Sequence, residues 1–108
     1  MEWGIEYFNE KLEREILKLQ PGLLARYLRL TDLMIEFGPN LGFPHTRAIG
    51  KNLFELRIKS IEGIARVFFC IKARKIVMLH LFIKKTQKTP KRELKIALSR
   101  LTEAQNGV

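Results

Sequence analysis

Arg57, Arg66 and Lys84, with Lys85 at their edge, are the residues whose types and spacing could do chemistry, and that chemistry is the handling of phosphate. A guanidinium group grips phosphate oxygens through two parallel hydrogen bonds, and nearby aromatic rings can stack on bases. Side chains on a strand alternate between faces, so residues two apart share one. On that rule Glu55, Arg57 and Lys59 face away from Phe54, Leu56 and Ile58. Arg66 faces away from Ala65, Val67, Phe69 and Ile71, and His80 away from Val77, Leu79, Leu81 and Ile83. Packing the apolar sets under helices leaves Arg57, Arg66, His80 and Lys84 on one open face, among exposed rings of Phe68 and Phe82.

The elements that must position these residues follow from periodicity. Trp3, Ile5 and Tyr7 alternate as in a short strand. Asn9 can cap a helix starting at Glu10, with Leu12, Ile16, Leu17 and Leu19 on one side. Gln20-Pro21-Gly22 breaks it, and a second helix runs on to a stop at Gly38-Pro39. The stretch from Gly38 to Asn52, rich in Gly and Pro, reads as a long loop. Leu53–Lys59, Ile64–Lys72 and Lys75–Ile83 are strand-like, and links this short make them antiparallel neighbours. Gly63 suits a positive φ in the first link. Thr89 is expected to cap a last helix with Pro90 at its first position and Leu94, Ala97, Leu98 and Leu101 as its apolar stripe. The expected fold class is α+β, in the order β-α-α-β-β-β-α, with an antiparallel sheet packed against helices. It forms a single domain over residues 1–108.

Composition narrows the function. Residues 1–45 carry five Lys/Arg against seven Asp/Glu, whereas residues 46–108 carry fifteen against four, a local net charge of +11 within a total of +9. A field of one sign concentrates polyanions and accelerates their encounter. The alternative is a basic face kept for solubility; a disordered basic tail is excluded by a hydrophobic content of 46%. Apolar runs are too short for a bilayer, and the start lacks a signal core, so the expectation is a cytoplasmic protein without a membrane partner. Cys70 is the only cysteine, and no HExxH, CxxC or P-loop pattern occurs, so neither metal nor cofactor is expected.

The run Phe82-Ile83-Lys84-Lys85-Thr86-Gln87-Lys88-Thr89-Pro90-Lys91-Arg92 is the most specific feature. It places cations at a strand end and leads into a helix start, where amides and the helix dipole can receive an anion. Together with Leu53-Phe54-Glu55-Leu56-Arg57 and Ala65-Arg66-Val67-Phe68-Phe69, in that order and spacing, it resembles the phage-derived, HigB-like branch of the RelE/HigB superfamily of bacterial toxins. The likeness extends through the Gly38-to-Gly50 loop with Pro44-His45.

That resemblance implies a RelE-like fold and the toxin role in a type II toxin–antitoxin system. Superfamily members typically enter the ribosomal A site, against 16S rRNA, and cut messenger RNA without a metal. The ribose 2′-hydroxyl attacks the adjacent phosphate and leaves a cyclic phosphate and a free 5′-hydroxyl. The resemblance puts Arg66 on the scissile phosphate and Lys84 and Lys85 on developing charge or the leaving oxygen, with Arg57 and Lys59 as further cations. The physical need agrees, because a pentacoordinate phosphate gains charge and preorganised cations favour it over the ground state. Phe68, Phe82, Lys88, Lys91 and Arg92 would contact RNA, the helix cations Lys91, Arg92, Lys95 and Arg100 mainly through general attraction. A helix-turn-helix antitoxin is the implied partner, with Glu10, Glu13 and Glu36 as one docking surface.

The chain departs from the pattern in one respect. Relatives often carry a tyrosine after the final basic motif, but no Tyr follows Tyr27 here. The general acid and base stay unassigned. His80, the histidine on the proposed face, is of a type suited to proton transfer, with a purely structural role as the alternative. His45, in the glycine- and proline-rich loop, is the lesser candidate. Two other functional classes remain open: a non-catalytic ParE-like inhibitor of DNA gyrase, and an inactive nucleic-acid-binding phage-derived protein.

Overall fold

The computed structural model describes residues 2–107. Asn9 opens the first helix as its side chain allows: its backbone is extended, and its Oδ1 accepts from the Leu12 amide at 2.8 Å. Helix α1 (Glu10–Leu17) buries Leu12 and Ile16, one turn apart. Helix α2 (Pro21–Phe37) starts on a proline and has no side-chain cap of its own. Its free amides at Gly22 and Leu23 donate instead to the Glu62 carboxylate, at 2.6 and 3.1 Å. Glu62 is therefore committed to α2.

Five strands form one sheet: β1 (Gly4–Tyr7), β2 (Thr46–Gly50), β3 (Leu53–Ser60), β4 (Gly63–Lys72) and β5 (Lys75–Ile83), in the order β1-β5-β4-β3-β2. The β3–β4–β5 meander is antiparallel and matches the reading of the sequence, with Gly63 at φ 141° in the first link. Two features differ from it. Thr46–Gly50, expected in a loop, pairs antiparallel with β3 through a bulge near Ala48 and Gly50. And β1 runs parallel to β5, so the sheet is mixed; the α1–α2 pair carries the chain from β1 at one edge to β2 at the other, and β5 returns beside β1 only at the end of the meander. The result is an α+β fold of order β-α-α-β-β-β-β-α, compatible with a RelE-like fold.

Helices cover both faces, not one. α1 and α2 pack on Leu56, Ile58, Ala65, Val67, Phe69, Ile76 and Met78. Helix α3 (Lys91–Asn106) packs its Ala97 and Leu101 over Leu53, Phe68, Cys70, Val77, Leu79 and Phe82. Pro90, one residue later than expected, holds the cap position of α3. A bulge explains how β5 serves both layers. Phe68 pairs with His80 but Phe69 pairs with Met78, so Leu79 is an extra residue. Its carbonyl accepts from the Arg100 guanidinium at 2.8 Å, which fastens α3 to the strand. Val77, Leu79, Leu81 and Ile83 therefore do not form the single face that simple alternation suggests: Val77 and Leu79 lie under α3, and Leu81 packs with the α1–α2 layer. Among the described residues no helix is long and apolar enough to cross a membrane.

Candidate nucleic-acid interface

Arg57 and Arg66 occupy partner positions across β3 and β4, on the part of the sheet beyond the buried contacts of α3. Like charges directly opposite repel. The same strand supplies the remedy two residues away. Glu55, only 1% exposed, places Oε1 at 3.1 Å from an Arg57 nitrogen and 3.6 Å from Arg66 Nε. Arg66 is itself buried and donates to the Ala65 carbonyl at 3.1 Å. One carboxylate thus serves two guanidinium groups, and Glu55 Oε2 and Arg66 Nε are buried without a hydrogen-bond partner. Such atoms are rare in folded proteins and call for an explanation.

Two clefts meet on this pair. The first, about 490 Å³, is lined by Arg26, Phe43, Pro44, His45, Arg57, Lys59, Ile64 and Arg66. The second, about 610 Å³, shares Arg57, Ile64 and Arg66 and adds Arg47, Lys84, Lys85, Thr86 and Gln87. Together they make a groove that runs from α2 across the meander to the segment after β5. Lys84 is held at the end of that path because its amide donates to the Ile64 carbonyl at 2.8 Å.

The groove is electropositive by construction. Burial lowers the pKa of Arg66 below its usual value; Arg57 and Arg47 add to the effect and Glu55 opposes it. Burial likewise lowers Lys84, reinforced by Arg66, Arg57 and Arg47 against the single opposing charge of Glu55. Cations that disfavour one another in this way gain most from an incoming anion. Phosphate oxygens would meet both forked guanidinium donors and a lysine ammonium.

Arg57, Arg66, Lys84, Lys85 and Lys59, named from the sequence, all line this groove. Phe68 and Phe82 do not, and their expected exposure is corrected: they are 0% and 7% exposed beneath α3, stacked on each other at 5.6 Å. They are core side chains and present no ring to a base. His80 also lies apart, in a cleft with Asn9, Lys11, Glu15 and Arg100, where its Nε2 meets Glu93 Oε1 of α3 at 2.8 Å. Lys88, Lys91 and Arg92 are exposed and line neither part of the groove. Glu10, Glu13 and Glu36 are exposed on the two N-terminal helices.

Four groove residues escaped the sequence reading: Arg26, Phe43, Arg47 and, as a groove member, His45. They come from α2, the following loop and β2. His45 Nδ1 lies 3.4 Å from an Arg26 nitrogen, and its carbonyl accepts from the Arg57 amide at 2.8 Å. The pairing of this loop with β3 carries His45 to the Arg57 side, a placement local pattern could not reveal. Among the described residues no group of three or more His, Cys, Asp or Glu is placed to hold a metal ion.

No curated protein matches the chain. A family model does, over residues 14–102, that of the phage-derived Gp49-like proteins (DUF891). That span takes in the whole groove, and the chain belongs to the phage-derived Gp49-like family.

Proposed function

We propose that this protein is the toxin of a type II toxin–antitoxin system and cuts ribosome-bound messenger RNA as a metal-independent endoribonuclease of RelE/HigB type. The observation that carries the reading is the shared carboxylate: Arg57, Arg66 and Lys84 converge on one groove in which, among the described residues, Glu55 alone balances them. Membership of the Gp49-like family, which is associated with toxin–antitoxin systems, supports it.

In this reading a phosphodiester lies across the junction of the two clefts. Arg66 binds its non-bridging oxygens through the guanidinium fork, and Arg57 adds a second fork. The ribose 2′-oxygen forms a bond to phosphorus as the bond from phosphorus to the 5′-oxygen breaks. One proton leaves the 2′-hydroxyl and one reaches the departing 5′-oxygen, giving a 2′,3′-cyclic phosphate and a free 5′-hydroxyl. Lys84 and Lys85 stabilise charge that grows on the phosphoryl and leaving oxygens. Histidine is the side-chain type that changes charge near neutral pH, and the one in the groove is His45. It takes the proton-transfer role for which the sequence first suggested His80 and left the assignment open. Exposed Lys88, Lys91 and Arg92 meet 16S rRNA, and a helix-turn-helix antitoxin neutralises the protein, with the exposed Glu10, Glu13 and Glu36 of α1 and α2 as part of one surface for it.

Primer extension on translated messages after induction tests the reading. New 5′ ends are expected, falling by roughly 100-fold or more in Arg66→Ala, the scale of losing one preorganised donor to a developing oxyanion. Growth arrest with intact messages would sink cleavage and favour a gyrase-directed inhibitor.

A further inference from the structure

Phe43 is 72% exposed although a guanidinium lies against its ring. The Arg57 guanidinium carbon stands 4.9 Å from its centroid, and Arg57 is in turn held by Glu55 at 3.1 Å. Carboxylate, guanidinium and ring therefore form a prebuilt stack that ends in open solvent. The loop beneath is tied to itself. The His45 and Thr46 amides donate to the Gly42 carbonyl at 2.9 and 3.0 Å, and the Gly42 amide donates to the Thr46 hydroxyl at 2.9 Å. Gly42 adopts φ 81°, which a residue with a side chain resists, so the turn is glycine's. A ring on such a loop is presented already ordered, which lowers the entropic cost of binding.

We infer that Phe43 is a stacking platform for a nucleobase, that of the nucleotide next to the phosphate gripped by Arg57 and Arg66. Three observations select this occupant. The ring lines the same cleft as both arginines, Lys59 and His45, so a strand anchored by its phosphate brings a base within reach. It also lines a second space of about 380 Å³ with Asn40, Thr46 and Phe54, which leaves room beside the ring. The rings first expected to stack on bases are closed off beneath α3. Phe37 is comparably exposed, at 70%, but lines neither part of the groove. Arg57 beneath the ring adds a cation–π contact, so the π-face turned to a base is electronically polarised as well as fixed. Stacking on one aromatic side chain is tolerant of base identity, so this platform sets position on the strand more than sequence.

The inference deepens the proposed function and takes from it the expectation of a single RNA strand. Its test uses binding, so that cleavage is scored separately. A Trp3→Phe, Phe43→Trp protein carries its one indole at the platform, since Trp3 is the chain's only tryptophan. A short 2′-O-methyl RNA strand, which cannot be cut, is expected to quench its emission, and the same strand with one abasic sugar at its centre to quench far less. Phe43→Ala should bind the intact strand about tenfold more weakly and the abasic strand as the parent does. Equal affinity of parent and Phe43→Ala for the intact strand would overturn the inference. So would loss of affinity in Phe43→Ala for a partner protein with RNA binding unchanged, because the ring would then be a protein-docking site. If the base-dependent quenching appears but induced cells keep their messages intact, the platform stands and the endonuclease reading falls.

Discussion

Arg57 and Arg66 face each other across adjacent strands with the Glu55 carboxylate as their common partner. The arrangement stabilises the free protein only partly and leaves its strongest complement to an outside anion. Glu55→Gln keeps the shape and removes the charge. Breaking a buried ion pair from one side commonly costs about 3 kcal/mol, and that loss is expected in urea denaturation at neutral pH. Sulfate should recover part of it by standing between the two arginines. An unchanged midpoint would show that Glu55 does not hold the pair together.

Lys84 gives the groove a pH dependence on the alkaline side. Its pKa lies below the ordinary 10.5, first through burial and then through Arg66, Arg57 and Arg47. Between that lowered value and 10.5 the unfolded chain holds a proton that the native protein has lost. The contribution of Lys84 to stability therefore rises with pH across this window. Binding has the opposite sign. A phosphate favours the ammonium form, so affinity is full below the lowered pKa and declines as pH rises through it. Titration of a 2′-O-methyl strand between neutrality and pH 10.5 should show the decline. Lys84→Arg should flatten it, because arginine stays charged. A parent profile already as flat as that variant's would refute the assignment.

The two histidines should separate cleanly. His45→Gln is expected to lower the cleavage rate by a factor on the order of 100, the scale of a lost general acid or base. His80→Gln should instead loosen α3 by removing the contact with Glu93, seen as a lower melting temperature with the cleavage rate of the folded protein retained. Cleavage slowed by His80→Gln and untouched by His45→Gln would return proton transfer to the cleft beside α3.

What was legible in the sequence depended on how local its cause is. The Asn9 cap, the Gly63 turn and the three meander strands follow from neighbours in the chain, and each was readable. β2 was not, because an edge strand in a segment rich in glycine and proline has little alternation to show. The bulge at Leu79 inserts one residue without a sequence mark, and counting in twos across it assigns β5 to the wrong faces. Ala65 to Cys70 are buried without a break, and a strand buried on both faces reads as a continuous apolar run. Arg66 interrupts that run and still belongs to the groove. The cations were legible as a set because type and order sufficed; the His45 and Phe43 positions depend on the loop returning across the sheet.

Salt dependence should count the groove's phosphate contacts. If Arg57, Lys59, Arg66, Lys84 and Lys85 each meet one phosphate of a single strand, log K should fall against log salt with a slope of about −3.5, roughly −0.7 per contact. Arg66→Ala should reduce that slope by about 0.7, and Lys91→Ala, outside the groove, should leave it unchanged. Equal slope changes in both variants would mean that attraction is spread over the surface.

The parallel pairing of β1 with β5 bears on the order in which the molecule is made. β1 is synthesised first, but its partner is among the last elements to appear, and most of the chain lies between them. The β3–β5 meander, by contrast, can pair as it emerges, since its links are short. Arg57 and Arg66 therefore meet through a short link, whereas the β1 edge closes only when β5, up to Ile83, is in place. Synthesis interrupted before that point leaves β1 without its ladder and the groove without its lysines, so a truncated product would be both unstable and unarmed.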